Sequence, residues 1–95
     1  MSKEQRFASV WDAIEPSPEE AASMKARSAV MLAVRKIVDG WDIAQIEAAK
    51  RLGITQPRLN DLIRGRIGRF SLDALVDLAT RAGLSVHVKT TRRAA

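Results

Sequence analysis

Apolar residues recur along this chain in short stripes at helical spacing, divided by prolines, glycines and small polar residues. Phe7, Val10, Trp11 and Ile14 stand at i, i+3, i+4 and i+7, which predicts a short amphipathic helix that Pro16 and Pro18 end. Ser17-Pro18-Glu19-Glu20 is a start signal: Ser17 as N-cap, Pro18 in the first helical position, and Glu20 placed to complete a capping box. The helix it opens is expected to run to about Asp39. Met24, Met31, Val34, Ile37 and Val38 make its apolar face, and Gly40 is its stop. Asp42 is the next expected cap, with Gln45 reaching back to it and Trp41 stapled to Ile46, for a short helix at about Ile43–Leu52 closed by Gly53. Thr55 caps a further helix at about Gln56–Arg64, with Pro57 harmless in the first turn and Ile54 stapled to Leu59. Ser71 caps the last, with Phe70 and Leu75 stapled, Leu72, Leu75, Val76, Leu78 and Ala79 facing inward, and Gly83 at its end.

After Gly83 the period changes. Leu84-Ser85-Val86-His87-Val88-Lys89 alternates apolar and polar, the pattern of a half-buried strand. A strand needs a neighbour, and the chain offers no second clear strand. The simplest partner is the same strand of a second copy, which makes Leu84, Val86 and Val88 the expected dimerisation residues. The fold class that follows is all-α: about five helices plus a short C-terminal β-strand pairing in a dimer. Residues 1–16 form an N-terminal extension, 17–83 the helical domain, and 84–95 the strand and a basic tail. At 95 residues there is room for one domain with a modest core, a size at which dimerisation commonly adds stability.

The segment Gln45–Arg64 (QIEAAKRLGITQPRLNDLIR) meets several positional demands at once. Two short helices joined by a tight turn form a helix-turn-helix. Ala49 is small where the two backbones would cross. Gly53 suits a turn that needs a left-handed backbone. Ile46, Leu52, Ile54, Leu59 and Leu62 are expected to point inward, leaving Gln56, Pro57, Arg58, Asn60, Asp61 and Arg64 outward. Arginine can donate two bonds to guanine, and asparagine or glutamine can pair with adenine. The start of the second helix normally meets the bases. Gln56, Arg58 and Asn60 are therefore expected to read base edges, with Pro57 against a thymine methyl. Gln45, Thr55 and Arg64 are placed to hold phosphate, as are Arg66 and Arg69 in the loop that follows. Asp61 would repel phosphate and is expected to face away or pair with a nearby arginine. The competing account is two core helices with a solvated charged face.

Charge strengthens the first account. The chain has 16 Lys+Arg against 11 Asp+Glu, a net +5. The balance is segregated: residues 1–24 carry Glu4, Asp12, Glu15, Glu19 and Glu20 against Lys3 and Arg6, whereas residues 50–69 carry Lys50, Arg51, Arg58, Arg64, Arg66 and Arg69 against Asp61 alone. A basic patch of this kind fits nucleic acid. The absence of cysteine excludes disulfides and thiolate metal sites. No apolar run is long enough for a bilayer or a signal peptide, so a cytoplasmic protein with no membrane partner is expected. Enzyme chemistry finds few candidates: His87 lies on the polar side of the expected strand, and Asp73 near a helix start merely favours the dipole, with Asp77 one turn on. No cofactor is expected. Gly65-Arg66-Ile67-Gly68 spells the GXXG of an RNA-binding KH loop, but a KH domain needs a sheet and here helices flank the loop. The acidic N-terminal segment with Phe7, Trp11 and Ile14 could alternatively clamp a basic protein.

Gln45–Arg64 resembles the helix-turn-helix of the λ-repressor-like, XRE-type regulators. Over residues 7–88 the chain is similar to the HigA-like antitoxin group of that superfamily, on FASVWDAIEPSPEEAASMKARSAVM, EAAKRLGITQPRLNDLIRGRIGRFSLDAL and AGLSVHV. The resemblance implies a λ-repressor-like helical bundle, a homodimer on a near-palindromic operator in double-stranded DNA (often its own promoter), and in some members a paired toxin nuclease. It places DNA contacts at Gln45, Thr55, Gln56, Pro57, Arg58, Asn60 and Arg64. The group commonly has a small serine where this chain has Asn60, which bears on the operator sequence and not on the mode of binding.

Overall fold

The computed structural model describes residues 16–93. The expected helix at Phe7–Ile14 lies outside the described residues, as does the protein-clamping role attached to it. Among the described residues there are four α-helices and a 3₁₀ turn: α1 (Pro18–Trp41), α2 (Gln45–Leu52), α3 (Gln56–Ile63), the 3₁₀ turn Ile67–Arg69, and α4 (Leu72–Arg81). None of the helices is long and apolar enough to cross a membrane.

Three helix starts follow from local chemistry. Glu20 N–H donates to Ser17 Oγ at 3.1 Å while Ser17 N–H donates to Glu20 Oε1 at 2.9 Å, completing the capping box. Thr55 Oγ1 accepts from Arg58 N–H, and Ser71 Oγ from Ala74 N–H. The fourth start differs from expectation. α1 does not stop at Gly40 but runs on through Trp41. A glycine inside a helix costs about 1 kcal/mol, and burial outweighs it: Val38 and Trp41 pack against the core, with the Arg51 guanidinium 4.9 Å from the centre of the Trp41 ring. The helix ends instead at Asp42, whose backbone is left-handed (φ 51°, ψ 49°), a conformation short polar side chains tolerate. Asp42 is thus the end of α1 and not the cap of α2. Ala44 precedes α2 without a side-chain cap, and Gln45 is its first residue.

α1 packs along α4 and against α3, and α2 packs against α3 and α4. Met31, Val34, Ala48, Ala49, Leu52, Leu59, Leu62, Phe70, Leu75, Leu78 and Ala79 form one continuous core. Three apolar positions expected inside lie at the surface: Ile46, 51% exposed, and also Met24 and Leu72. Ile46 turns outward because the buried face of α2 is centred on Ala48, Ala49 and Leu52, and Ile46 lies round the helix from it.

α2, α3 and α4 end alike. Ile54 N–H donates to Ala49 O, Arg66 N–H to Asp61 O and Leu84 N–H to Ala79 O, each after a glycine of positive φ. These six-residue closures satisfy the last carbonyls and turn the chain back on itself. After the last one, the expected strand does not form: Leu84–Lys89 has no ladder partner among the described residues. Its alternation has another cause. Leu84 and Val86 lie against the helical core, while Val88 is 82% exposed. Two of the three expected dimerisation side chains are therefore spent on their own subunit.

Candidate nucleic-acid interface

α2 and α3 form the helix-turn-helix unit, and the turn between them is over-determined. Gly53 has φ 68°, and a Cβ built there would lie 2.9 Å from Arg81 Nη1. Arg81, reaching across from α4, donates to Leu52 O at 2.9 Å and Gly53 O at 3.5 Å. A cation is thereby fixed at the negative end of α2. Leu52, Leu59 and Leu62 are fully buried beneath the turn and Ile54 half-buried, so the apolar side of α3 is turned to the core.

The other side of α3 is open. Gln56 and Pro57 in the first turn are exposed, Asn60 one turn on is half-buried, and Arg64 just past the helix is exposed. Thr55 caps the helix from an exposed position, and Gln45 is exposed at the first turn of α2. Arg58 departs from the picture of a free outward arginine. Its Nη1 donates to Arg69 O at 2.7 Å, and its guanidinium lies 3.9 Å from the centre of the Phe70 ring. Phe70 is itself buried, so it serves as a floor on which Arg58 rests.

The loop Arg64–Arg69 is tied down at both edges. Arg27 Nη1, from α1, donates to Ile67 O at 3.2 Å and Phe70 O at 3.3 Å. Asp61 Oδ1 accepts from Arg66 Nη1 and from Arg69 Nη1, each at 3.0 Å. Partial burial raises the Asp61 carboxyl, but the bonds and charges of the two guanidiniums outweigh it and hold its pKa below the usual value. The expectation that Asp61 would pair with a neighbouring arginine is met twice over. Arg66 and Arg69 were expected to be simple phosphate donors, and each has one nitrogen engaged within the protein.

Sequence reasoning missed Arg35 and Lys36. Neither stands in a motif. The path of α1 brings both to the wall of a cavity of about 580 Å³, on the same rim as Gln45. Arg35 also lies under the loop, since a Cβ on Gly65 would meet its Nη1 at 3.2 Å. It could have been found only by knowing how α1 packs on α3. The enzyme candidates are scattered: His87 is exposed in the tail, and Asp73 and Asp77 are exposed on α4. No group of three or more histidine, aspartate or glutamate residues is placed to hold a metal among the described residues.

A family model described as a helix-turn-helix domain matches residues 13–91. No curated protein matches the chain. Among solved structures, a protein provisionally named an XRE family transcriptional regulator matches with a TM-score of 0.72 at 26% identity, over 80% of this chain and 90% of its own.

Proposed function

The chain belongs to the helix-turn-helix domain family, and from that premise we propose that it is a sequence-specific regulator of transcription that binds double-stranded DNA. One observation carries this reading above the rest: the exposed side of α3, with Gln56, Pro57 and Asn60, stands beside a fixed cationic loop and is covered by no other element of the described chain. A helix offered in this way fits the major groove. In this reading Gln56, Arg58 and Asn60 read bases and Pro57 packs on a thymine methyl. Arg58 does so from its seat on Phe70, keeping further N–H groups for a guanine edge beyond the one given to Arg69 O. Gln45, Thr55, Arg64, Arg66 and Arg69 grip phosphates, joined by Arg35 and Lys36 on the Gln45 rim.

Two copies on one face of the duplex would place their α3 helices in successive major grooves, with half-sites about 10 bp apart in a near-palindromic operator. The test is selection of bound sites from a random duplex pool at fixed salt, followed by titration of the recovered site. A recovered inverted repeat whose affinity falls steeply with salt supports the reading, because lysine and arginine release counterions from DNA. Recovery of no site, with an affinity indifferent to salt, refutes it.

A further inference from the structure

A carboxylate in the middle of a DNA-binding surface works against binding, since it repels phosphate. Asp61 is such a carboxylate, one turn past Pro57 on α3, and it is the only acid among residues 50–69. Its placement is asymmetric. Its side chain is 15% exposed, whereas those of its partners Arg66 and Arg69 are 39% and 60% exposed. The acid therefore sits inward and the cations outward. Both guanidiniums converge on one oxygen, Oδ1, from five and eight residues along the chain. A guanidinium has five donors. One spent on Asp61 leaves the rest to face solvent or a phosphate, in directions that the shared oxygen now restricts. The link continues inward, because the Arg69 carbonyl accepts from Arg58, which rests on Phe70. The position of the loop and the position of Arg58 are thus one arrangement.

We propose that Asp61 is a positioning residue for discrimination between DNA sequences: it aims Arg66 and Arg69 and, through Arg69, seats Arg58, while masking part of their charge from non-cognate duplex. This rests on the DNA-binding reading above. Indiscriminate binding follows the number of phosphates neutralised, whereas cognate binding also needs the donors in register with α3. With Asp61 ionised, the cluster of Asp61, Arg66 and Arg69 presents one net positive charge. Without it, two are presented and neither is aimed. Asp61 lowers binding to unmatched duplex and retains binding to the matched one.

The experiment titrates the full chain with its selected site and with an unrelated duplex of equal length, across a salt series, for the parent, Asp61→Asn and Asp61→Glu. Circular dichroism checks that each is folded, and Asp61→Ser replaces Asp61→Asn if the latter is not. Neutralising one more phosphate steepens the log–log salt slope by about 0.9, which at 0.1 M salt is about eightfold in affinity. Asp61→Asn should therefore bind the unrelated duplex about eightfold tighter with a steeper slope, and the selected site no tighter. The ratio of the two affinities falls by about the same factor, and Asp61→Glu restores most of it. In an Arg66→Gln/Arg69→Gln background, Asp61→Asn should leave the ratio where it was. A ratio unchanged by Asp61→Asn, or equal weakening on both duplexes, overturns the proposal, because a merely structural ion pair would act in that way. Failure of the parent chain to bind any duplex overturns the DNA-binding reading itself, a distinguishable result.

Discussion

Gly53→Ala tests the turn on which the interface depends. An alanine at φ 68° brings its Cβ against its own backbone, at a cost of about 1–2 kcal/mol. The same Cβ would sit 2.9 Å from Arg81 Nη1, so the guanidinium must move off the Leu52 carbonyl. A charged hydrogen bond is worth about 1.5–3 kcal/mol when well made. Arg81 is exposed and its long side chain can re-form part of this bond, so about 1 kcal/mol is the share expected here. Against this, alanine restricts the unfolded chain and returns about 0.4–1 kcal/mol. The net is a loss of about 2 kcal/mol, or about 8–16 °C in Tm for a domain of this size. Thermal and urea unfolding of Gly53→Ala, Arg81→Gln and the double variant measure it. The double variant should lose less than the sum of the singles, because the clash vanishes with the guanidinium. A Gly53→Ala protein within 0.5 kcal/mol of the parent, or strictly additive losses, would refute the account of the turn. The folded fraction of Gly53→Ala should also bind the selected duplex more weakly, since the turn sets how α3 stands on α2.

Other consequences follow from single side chains. Ser17→Ala removes the cap of α1 and should cost about 1 kcal/mol in urea unfolding. The capping box also has a pH signature. Hydrogen bonds from Ser17, backbone first and hydroxyl second, hold the Glu20 carboxyl below its usual value. Its contribution is complete above the ordinary glutamate range and fades as pH falls through the lowered value, so the gap between the parent and Glu20→Ala should narrow in acid. A gap independent of pH would show that Glu20 takes no part. Arg58→Ala should weaken the selected site by about 1–3 kcal/mol and relax preference at one base pair; equal weakening on every duplex would place Arg58 on phosphate instead. Arg35→Ala/Lys36→Ala should reduce the salt slope by up to about 0.9 for each phosphate that the two side chains hold, and an unchanged slope would remove the Gln45 rim from the interface.

Whatever depends on near neighbours is written in the order of the residues. Ser17, Thr55 and Ser71 cap their helices because a hydroxyl needs only the amide three residues on. Gly53 forms the turn because a residue without a Cβ enters that backbone region at the least cost. Leu52, Leu59 and Leu62 are buried where helical periodicity puts them. With those elements came the open face of α3 and the choice of Gln56, Pro57 and Asn60. Tertiary structure decided the rest, by burial and by pairing of distant residues. Trp41 packing on the core carried α1 past Gly40 and left α2 to start at Gln45, and the face of α2 that the core selected, Ala48, Ala49 and Leu52, left Ile46 outside. The core also took Leu84 and Val86, so an alternation that resembles a strand serves as a strap. The arginines show the division most plainly. Their number and charge are visible in the sequence, but Arg27 on the loop carbonyls, Arg81 on the end of α2 and Arg58 on Phe70 are partners 12 to 43 residues apart. Nothing local selects such pairs; each exists because packing of the apolar faces brings a guanidinium within reach of a carbonyl or a ring.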